Sequence, residues 1–377
     1  MSVRRVSKFP AFPASDCLDQ EEVILRAMRR VMKGGQFILG HEVQAFEEEW
    51  AAYLGADHAI GVGNGTDAIE LMLRALDIGA GDKVIVPSFV PSAVAAGVER
   101  AGAAVLLADV EPDTLTLCPR ALRRLLESAD GRGVKAALAV HLYGHPVRWE
   151  ELEEVAAEHG IELLEDAAQA HGARWRGQSV GTLGRMAAFS FYPTKNLGAL
   201  GDAGAVVTSD PGLAERVHQI RQYGWQRRYI SERSGINSRM DEFQAAVLRA
   251  KLPMLEAQIT RRRALAARYD ELLCRDETLT RPATSEGCEH AYHQYVIRTP
   301  QRDRLREHLE SCGIPVAVLY PAALHQQPAW HCGRAFPESE RAASEVLALP
   351  LHPYLSHEAV ERVAEAIHHF PHVPCRA

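Results

Sequence analysis

Short apolar runs alternating with helical stretches constrain this chain more than any other feature. His58–Val62, Lys83–Pro87, Ala103–Val110 and Lys135–Leu142 read as β-strands. Thr66–Leu76, Ser92–Arg100, Arg120–Ser128 and Trp149–His159 repeat apolar residues at helical spacing between and after them. Ile161–Leu164, Met186–Tyr192 and Ala203–Thr208 bring the count to seven strands, the last three without long helices between them. A strand parallel to its predecessor needs a crossover, and a helix is the usual one. The pattern predicts an α/β fold with a seven-stranded, mostly parallel sheet covered on both faces. In such a sheet, functional groups gather at the carboxyl ends of the strands.

Beyond Asp210 the character changes. Leu213–Gln222 and Asp241–Ala257 read as helices, with Pro253 placed to bend or break the second. Thr260–Leu273, Arg302–Cys312 and His357–His368 read as further helices, and Tyr292–Arg298 alternates like a half-buried strand. A chain of 377 residues is long for one simple core. The expected organisation is a large domain over 1–250 and a smaller α+β domain over 251–377.

Charge and cysteine usage narrow the function classes. Lys+Arg 42 against Asp+Glu 49 gives a net charge of −7 with no basic block, which argues against nucleic acid as a partner. The nearest approach, Arg261-Arg262-Arg263, reads as a solvated helix face. No apolar run reaches the ~18 residues of a membrane span. Arg4, Arg5 and Lys8 have no apolar segment behind them, so no secretory leader is expected. The cysteines (Cys17, Cys118, Cys274, Cys288, Cys312, Cys332 and Cys375) are scattered and form no C-x-x-C pair, which reads as reduced, cytoplasmic thiols. His141 and His145 flank the turn signal Tyr143-Gly144, and His290-x-x-His293 is the other histidine pair. Neither is expected to bind a metal.

Three constellations carry chemistry. Gly61-Val-Gly63-Asn-Gly65-Thr66-Asp67 lies between a strand and a helix, where backbone N–H groups and the helix N-terminus favour an anion. It lacks both the dinucleotide fingerprint and the P-loop lysine, leaving a single-phosphate cradle or a plain helix start capped by Thr66 or Asp67. Asp166 ends the apolar run 161–164, followed by Gln169 and His171. A carboxylate there suits a protonated ring nitrogen, or it caps the next turn. Lys195 follows the strand that carries Ser190. It is either the imine-forming amine of pyridoxal phosphate chemistry or a lysine that snorkels to the surface. Together, an amine and an acid that each lie at a strand end, aimed by one sheet into the same crevice, are the protein half of that chemistry.

The segments starting Gly63-Asn-Gly-Thr-Asp-Ala-Ile, Glu165-Asp-Ala-Ala-Gln-Ala-His-Gly, Phe189-Ser-Phe-Tyr-Pro-Thr-Lys-Asn-Leu-Gly and Gly235-Ile-Asn-Ser-Arg-Met-Asp-Glu-Phe-Gln-Ala-Ala carry a resemblance. From about Phe37 to Leu355 the chain resembles the DegT/DnrJ/EryC1/StrS sugar aminotransferases, pyridoxal-phosphate enzymes of fold type I. The resemblance implies that Lys195 bonds the cofactor, Asp166 partners its ring nitrogen, and Gln169 neighbours the ring. Gly65, Thr66 and Ser190 would hold the phosphate. Asn237 would reach that phosphate from the other subunit of a homodimer with shared active sites. Three departures accompany it. Pro91 stands where the family usually has a stacking aromatic, which makes Phe89 the nearest ring. Leu319-Tyr320-Pro321 replaces the frequent His-Tyr-Pro, while Tyr320 and His325 remain as substrate contacts. The lysine at 195 separates the chain from dehydratase members, which carry histidine there. The implied reaction moves an amino group from an amino acid, L-glutamate being the expected donor, to a nucleotide-linked ketosugar. The run after Lys195 most resembles members acting at C3 of a 3-keto-6-deoxyhexose. A 4-ketosugar or cyclitol acceptor is the alternative on the same scaffold, and a non-catalytic cofactor-binding regulator is the alternative outside it.

Overall fold

The computed structural model describes residues 20–371; Arg4, Arg5, Lys8, Cys17 and Cys375 lie outside the described residues. In chain order, α1 (Glu21–Gly34) and α2 (His41–Leu54) lead into β1 (His58–Val62), α3 (Gly65–Ala75), β2 (Lys83–Pro87), α4 (Ser92–Arg100), β3 (Ala104–Ala108), α5 (Pro119–Glu127), β4 (Val134–Val140), α6 (Trp149–His159) and β5 (Glu162–Asp166). Short strands β6 (Arg174–Trp175) and β7 (Gln178–Ser179) precede β8 (Ala187–Ser190) and β9 (Gly204–Thr208). Next come α7 (Pro211–Ile220), the hairpin β10 (Trp225–Arg227) and β11 (Ile230–Ser231), α8 (Glu242–Lys251) and α9 (Leu255–Leu272). β12 (Cys288–Glu289), β13 (Tyr295–Arg298), α10 (Arg302–Ser311), α11 (Pro337–Glu345), β14 (Val346–Leu349) and α12 (His357–His368) complete the described chain.

The seven-stranded sheet runs β1-β9-β8-β5-β4-β2-β3. β9 is antiparallel to both neighbours, and the other six strands share one direction. The mostly parallel sheet expected from the apolar runs is therefore present, with the single reversed strand in the region that lacks crossover helices. Alternate side chains of one strand serve opposite faces. Ala188 and Val206 enter the core beneath α3, α4 and α7, while Ala187, Phe189, Ala205 and Val207 enter the core beneath α2 and α8. A further apolar cluster gathers Leu265 and Tyr269 of α9, Tyr295 and Ile297 of β13, Leu305 of α10 and Val360 of α12.

Register sets what lies at the carboxyl edge. Val140 pairs with Asp166 at the end of β4 and β5, and Asp166 pairs with Ala188 of β8. Gly204 is the partner of both Ser190 and Val62. The chain leaving β1, the end of β5 and the end of β8 thus open on one side of the sheet.

The junction of α8 and α9 meets expectation, and the arginine run departs from it. α8 stops at Lys251, a turn of 3-10 helix spans 252–254, and α9 begins at Leu255, so Pro253 breaks the helix as expected. The arginine run, by contrast, is not a solvated face. Arg262 is buried and donates to the carbonyls of Tyr292 and Leu351 at 3.2 and 3.1 Å. Arg263 reaches the carbonyls of His290 and Gly172, and Arg261 that of Leu355. Guanidinium groups here satisfy carbonyls that irregular backbone leaves unpaired.

Candidate active site

A cavity of about 400 Å³ opens at the carboxyl edge of the sheet, lined by Gly65, Thr66, Asp166, Gln169, Ser190, Lys195 and Tyr320 among others. Residues from four separate stretches of sequence therefore converge on one space.

Lys195 sits in the tight turn after β8, where its N–H donates to the Tyr192 carbonyl at 2.9 Å. Its neighbour Asn196 turns inward and donates through Nδ2 to the Ala291 carbonyl at 3.1 Å, which holds the turn against the body of the protein. Burial lowers the Lys195 ammonium to about 8, and the charge of Asp166 pulls it partly back. Asp166 is only 4% exposed, and its Oδ1 accepts the Ala168 N–H at 3.0 Å. Burial pushes this carboxyl up, against the Ala168 N–H and the charges of Lys195 and His141. A carboxylate in that position gains from a cationic partner inside the cavity.

The cradle is the N-terminus of α3. Asn64 caps it, its side chain accepting the Asp67 N–H at 2.8 Å. The helix start is therefore capped by Asn64, not by Thr66 or Asp67. The N–H groups of Gly65 and Thr66 precede the first intrahelical donor and point out of the helix end. The glycines follow from contact: a Cβ on Gly65 would lie 2.6 Å from Ser190 Cβ, and one on Gly204 would lie 2.4 Å from the Asn64 carbonyl carbon. These close approaches bring the Ser190 hydroxyl to the helix N-terminus, an arrangement suited to a phosphate.

Gln169 is fixed at both ends. Its Oε1 accepts the Tyr143 N–H at 2.7 Å, and its Nε2 donates to the Tyr320 hydroxyl at 3.0 Å. Burial pushes the Tyr320 phenol up to about 12, so it stays protonated. Three residues singled out by sequence stand elsewhere. Phe89 is fully enclosed, lies edge-on to Tyr320 at 6.3 Å between centroids, and presents no face to the cavity; Pro91 and Ala93 line it instead. His325 is buried between the Ser88 hydroxyl (2.7 Å) and Glu340 (3.1 Å) and is not a lining residue. Asn237 is exposed and lies outside this cavity.

The cavity also recruits residues to which the sequence assigned no role: His141, Arg100, Asp202 and Tyr192. His141 was visible only as half of an unused histidine pair. Its Nδ1 accepts the Val147 N–H at 3.1 Å, so Nε2 is the atom that donates to Glu165 at 3.2 Å.

The DegT/DnrJ/EryC1/StrS aminotransferase family model matches residues 18–368. The chain belongs to this family of aminotransferases. It is 45% identical over 346 residues to the dTDP-3-amino-3,4,6-trideoxy-alpha-D-glucose transaminase of Streptomyces venezuelae, covering 90% of both chains. It is also 45% identical over 350 residues to the erythromycin biosynthesis sensory transduction protein EryC1 of Saccharopolyspora erythraea, covering 92% of this chain and 94% of that one. Among solved structures, S. venezuelae DesV superimposes with a TM-score of 0.92 at 42% identity, covering 95% of this chain and 97% of its own. The cofactor of this aminotransferase family is pyridoxal phosphate. The cavity fits it: the Gly65–Ser190 approach forms a phosphate cradle, Asp166 is a buried carboxyl with a single backbone donor, and Lys195 is an amine eased toward neutrality.

Proposed function

We infer that this aminotransferase moves an amino group from an amino acid to C3 of a nucleotide-linked 3-keto-6-deoxyhexose. The observation that carries the reading is the joint placement of Lys195, Asp166 and the Gly65–Thr66 helix start around one cavity. The S. venezuelae relative, named for a 3-amino dTDP-sugar, supports position C3 and a nucleotide-sugar acceptor over a 4-ketosugar or cyclitol. L-Glutamate is the proposed donor. Lys195 in the cavity, with its burial-lowered ammonium, favours turnover over a purely regulatory role.

Each residue has a separate task. The Gly65 and Thr66 N–H groups and the Ser190 hydroxyl hold the cofactor phosphate. Asp166 keeps the ring nitrogen protonated through a charge-assisted hydrogen bond. Bound there, the cofactor supplies an electron sink and carries the amino group between donor and acceptor. Lys195 Nζ would hold the cofactor, and its freed amine would act as the base and acid that moves a proton at the substrate carbon that bears nitrogen. Its lowered proton affinity provides neutral amine near physiological pH. The Gln169–Tyr320 pair fixes one wall, and Tyr320 offers a hydroxyl to the sugar.

The cavity mouth carries Tyr192, and Leu200 is close in sequence; both are large apolar side chains left exposed. Together with the exposed Asn237, this supports a homodimer in which Asn237 enters the partner's phosphate site. A division of the chain near residue 250 is proposed from the helix break at Pro253; Leu255 and Ile259 still pack in the core beneath α2 and α8, and the separate apolar cluster takes over from Leu265. Among the described residues no helix is long and apolar enough to cross a membrane, and cytoplasmic placement is proposed.

The test is spectroscopic and then chemical. The purified protein should show the visible absorbance of lysine-bound pyridoxal phosphate, and glutamate should bleach it. Lys195→Ala should abolish borohydride trapping. The aminated form should then transfer its nitrogen to a nucleotide-linked 3-ketosugar in preference to the 4-keto isomer. Trapping that survives Lys195→Ala, or equal use of both isomers, would defeat the assignment.

A further inference from the structure

Ser238 is 2% exposed and uses its hydroxyl twice. Its Oγ accepts the Gly63 N–H at 3.0 Å and donates to Asp67 Oδ2 at 2.6 Å. Asp67 in turn gives its N–H to the Asn64 cap. Gly63, Asn64, Asp67 and Ser238 therefore close a ring of hydrogen bonds around the loop that begins α3. The other oxygen of Asp67 pairs with Arg100, a lining residue of the cavity, at 3.0 Å. A Cβ on Gly63 would meet Asp67 Oδ2 at 3.0 Å and Ser238 Oγ at 3.3 Å, so the glycine keeps room for this ring.

The ring joins two distant stretches of chain. The Ser238 N–H also donates to the Arg221 carbonyl at 2.9 Å, and Arg221 donates to the Gly61 carbonyl at 2.6 Å. The segment that carries Asn237 is thus tied to the end of β1 at Gly61 and to the cradle loop at Gly63 and Asp67. Asn237 itself, next to a pinned residue, is exposed and is not among the lining residues of its own cavity.

We propose that the Gly63–Ser238–Asp67 clasp links the two phosphate sites of the dimer, positioning Asn237 for the partner while it braces the cradle of its own chain. Ser238 is a positioning residue: it does not line the cavity and acts through Gly63, Asp67 and its neighbour Asn237. The inference rests on the homodimer reading above and deepens it. Its consequence is directional. Disturbing the clasp in one subunit weakens phosphate-anchored cofactor in the other.

Mixed dimers separate the effects. One subunit is unaltered and reports cofactor through Lys195. Its partner carries Lys195→Ala alone, or Lys195→Ala with Ser238→Ala. The reporting site, whose own clasp is intact in both, should release pyridoxal phosphate about tenfold more readily opposite the doubly altered partner, the scale of losing one hydrogen bond to a charged group. Ser238→Thr in place of Ser238→Ala should restore retention, because the hydroxyl remains. If the doubly altered subunit does not assemble, Asp67→Asn serves in its place and should weaken retention in the same direction. Equal retention opposite either partner overturns the clasp proposal while leaving the dimer reading standing. A monomeric unaltered chain, or an unaltered chain without the visible band, instead overturns the parent reading.

Discussion

Burial holds the Lys195 ammonium down to about 8 from its ordinary 10.5. Between those values the unfolded chain binds more protons at this side chain than the folded one. Stability of the cofactor-free protein should therefore rise as pH increases from about 8 to 10.5, and below about 8 the full cost of a buried charge is present. Thermal unfolding of cofactor-free wild type and Lys195→Met across this window is the measurement; the variant should lack that part of the rise. At this scale the sequence was informative about identity and poor about orientation. Lys195, Asp166 and Gln169 stand out in the sequence because such groups are rare at strand ends, and the fold brings all three to one cavity. Phe89 and His325 do not line that cavity, because a loop residue can turn into the core as readily as into the cavity. Phe89 is walled in by Tyr320 and its apolar neighbours, and His325 is spent on Ser88 and Glu340.

Glu242 shows how the elements are locked to one another. This buried carboxylate, at the start of α8, accepts the N–H groups of Gly40 and Val43 through Oε1 and of Glu42 through Oε2, at 2.8 to 2.9 Å. It caps the N-terminus of α2 from 200 residues away in sequence, with the helix dipole adding to the attraction. Glu242→Ala should cost about 3 kcal/mol, since three backbone donors lose a charged acceptor. Glu242→Gln should cost less because one oxygen remains. Chemical denaturation of both variants checks the order. The helix breaks were readable because proline acts locally, as at Pro253. α1, α2 and the β10–β11 hairpin were not assigned from pattern. α1 and α2 are stabilised by packing on α8 across the chain, and the hairpin is only a few residues long.

Across the whole molecule, several histidines are kept neutral by burial. His145, His218 and His352 are pushed down to about 4 and His171 to about 3, while His290 and His293 fall well below their ordinary value. Their depressed values mean that the stabilisation is complete above the unfolded value of 6.5 and is lost as pH falls toward 4. Melting temperature should therefore drop steeply between pH 6.5 and 4, without a single dominant residue. A flat profile across that range would contradict this account.

The order of apolar runs, the break at Pro253 and the pairing of a lysine with an aspartate at strand ends were decided by the sequence itself, because periodicity and local chemistry act over a few residues. The convergence of those groups on one cavity, the choice of Asn64 as the helix cap, the inward turn of Arg262 and the clasp between Asp67 and Ser238 were decided by tertiary structure. Each depends on which backbone groups a fold leaves unpaired, and that is known only once distant segments have packed together.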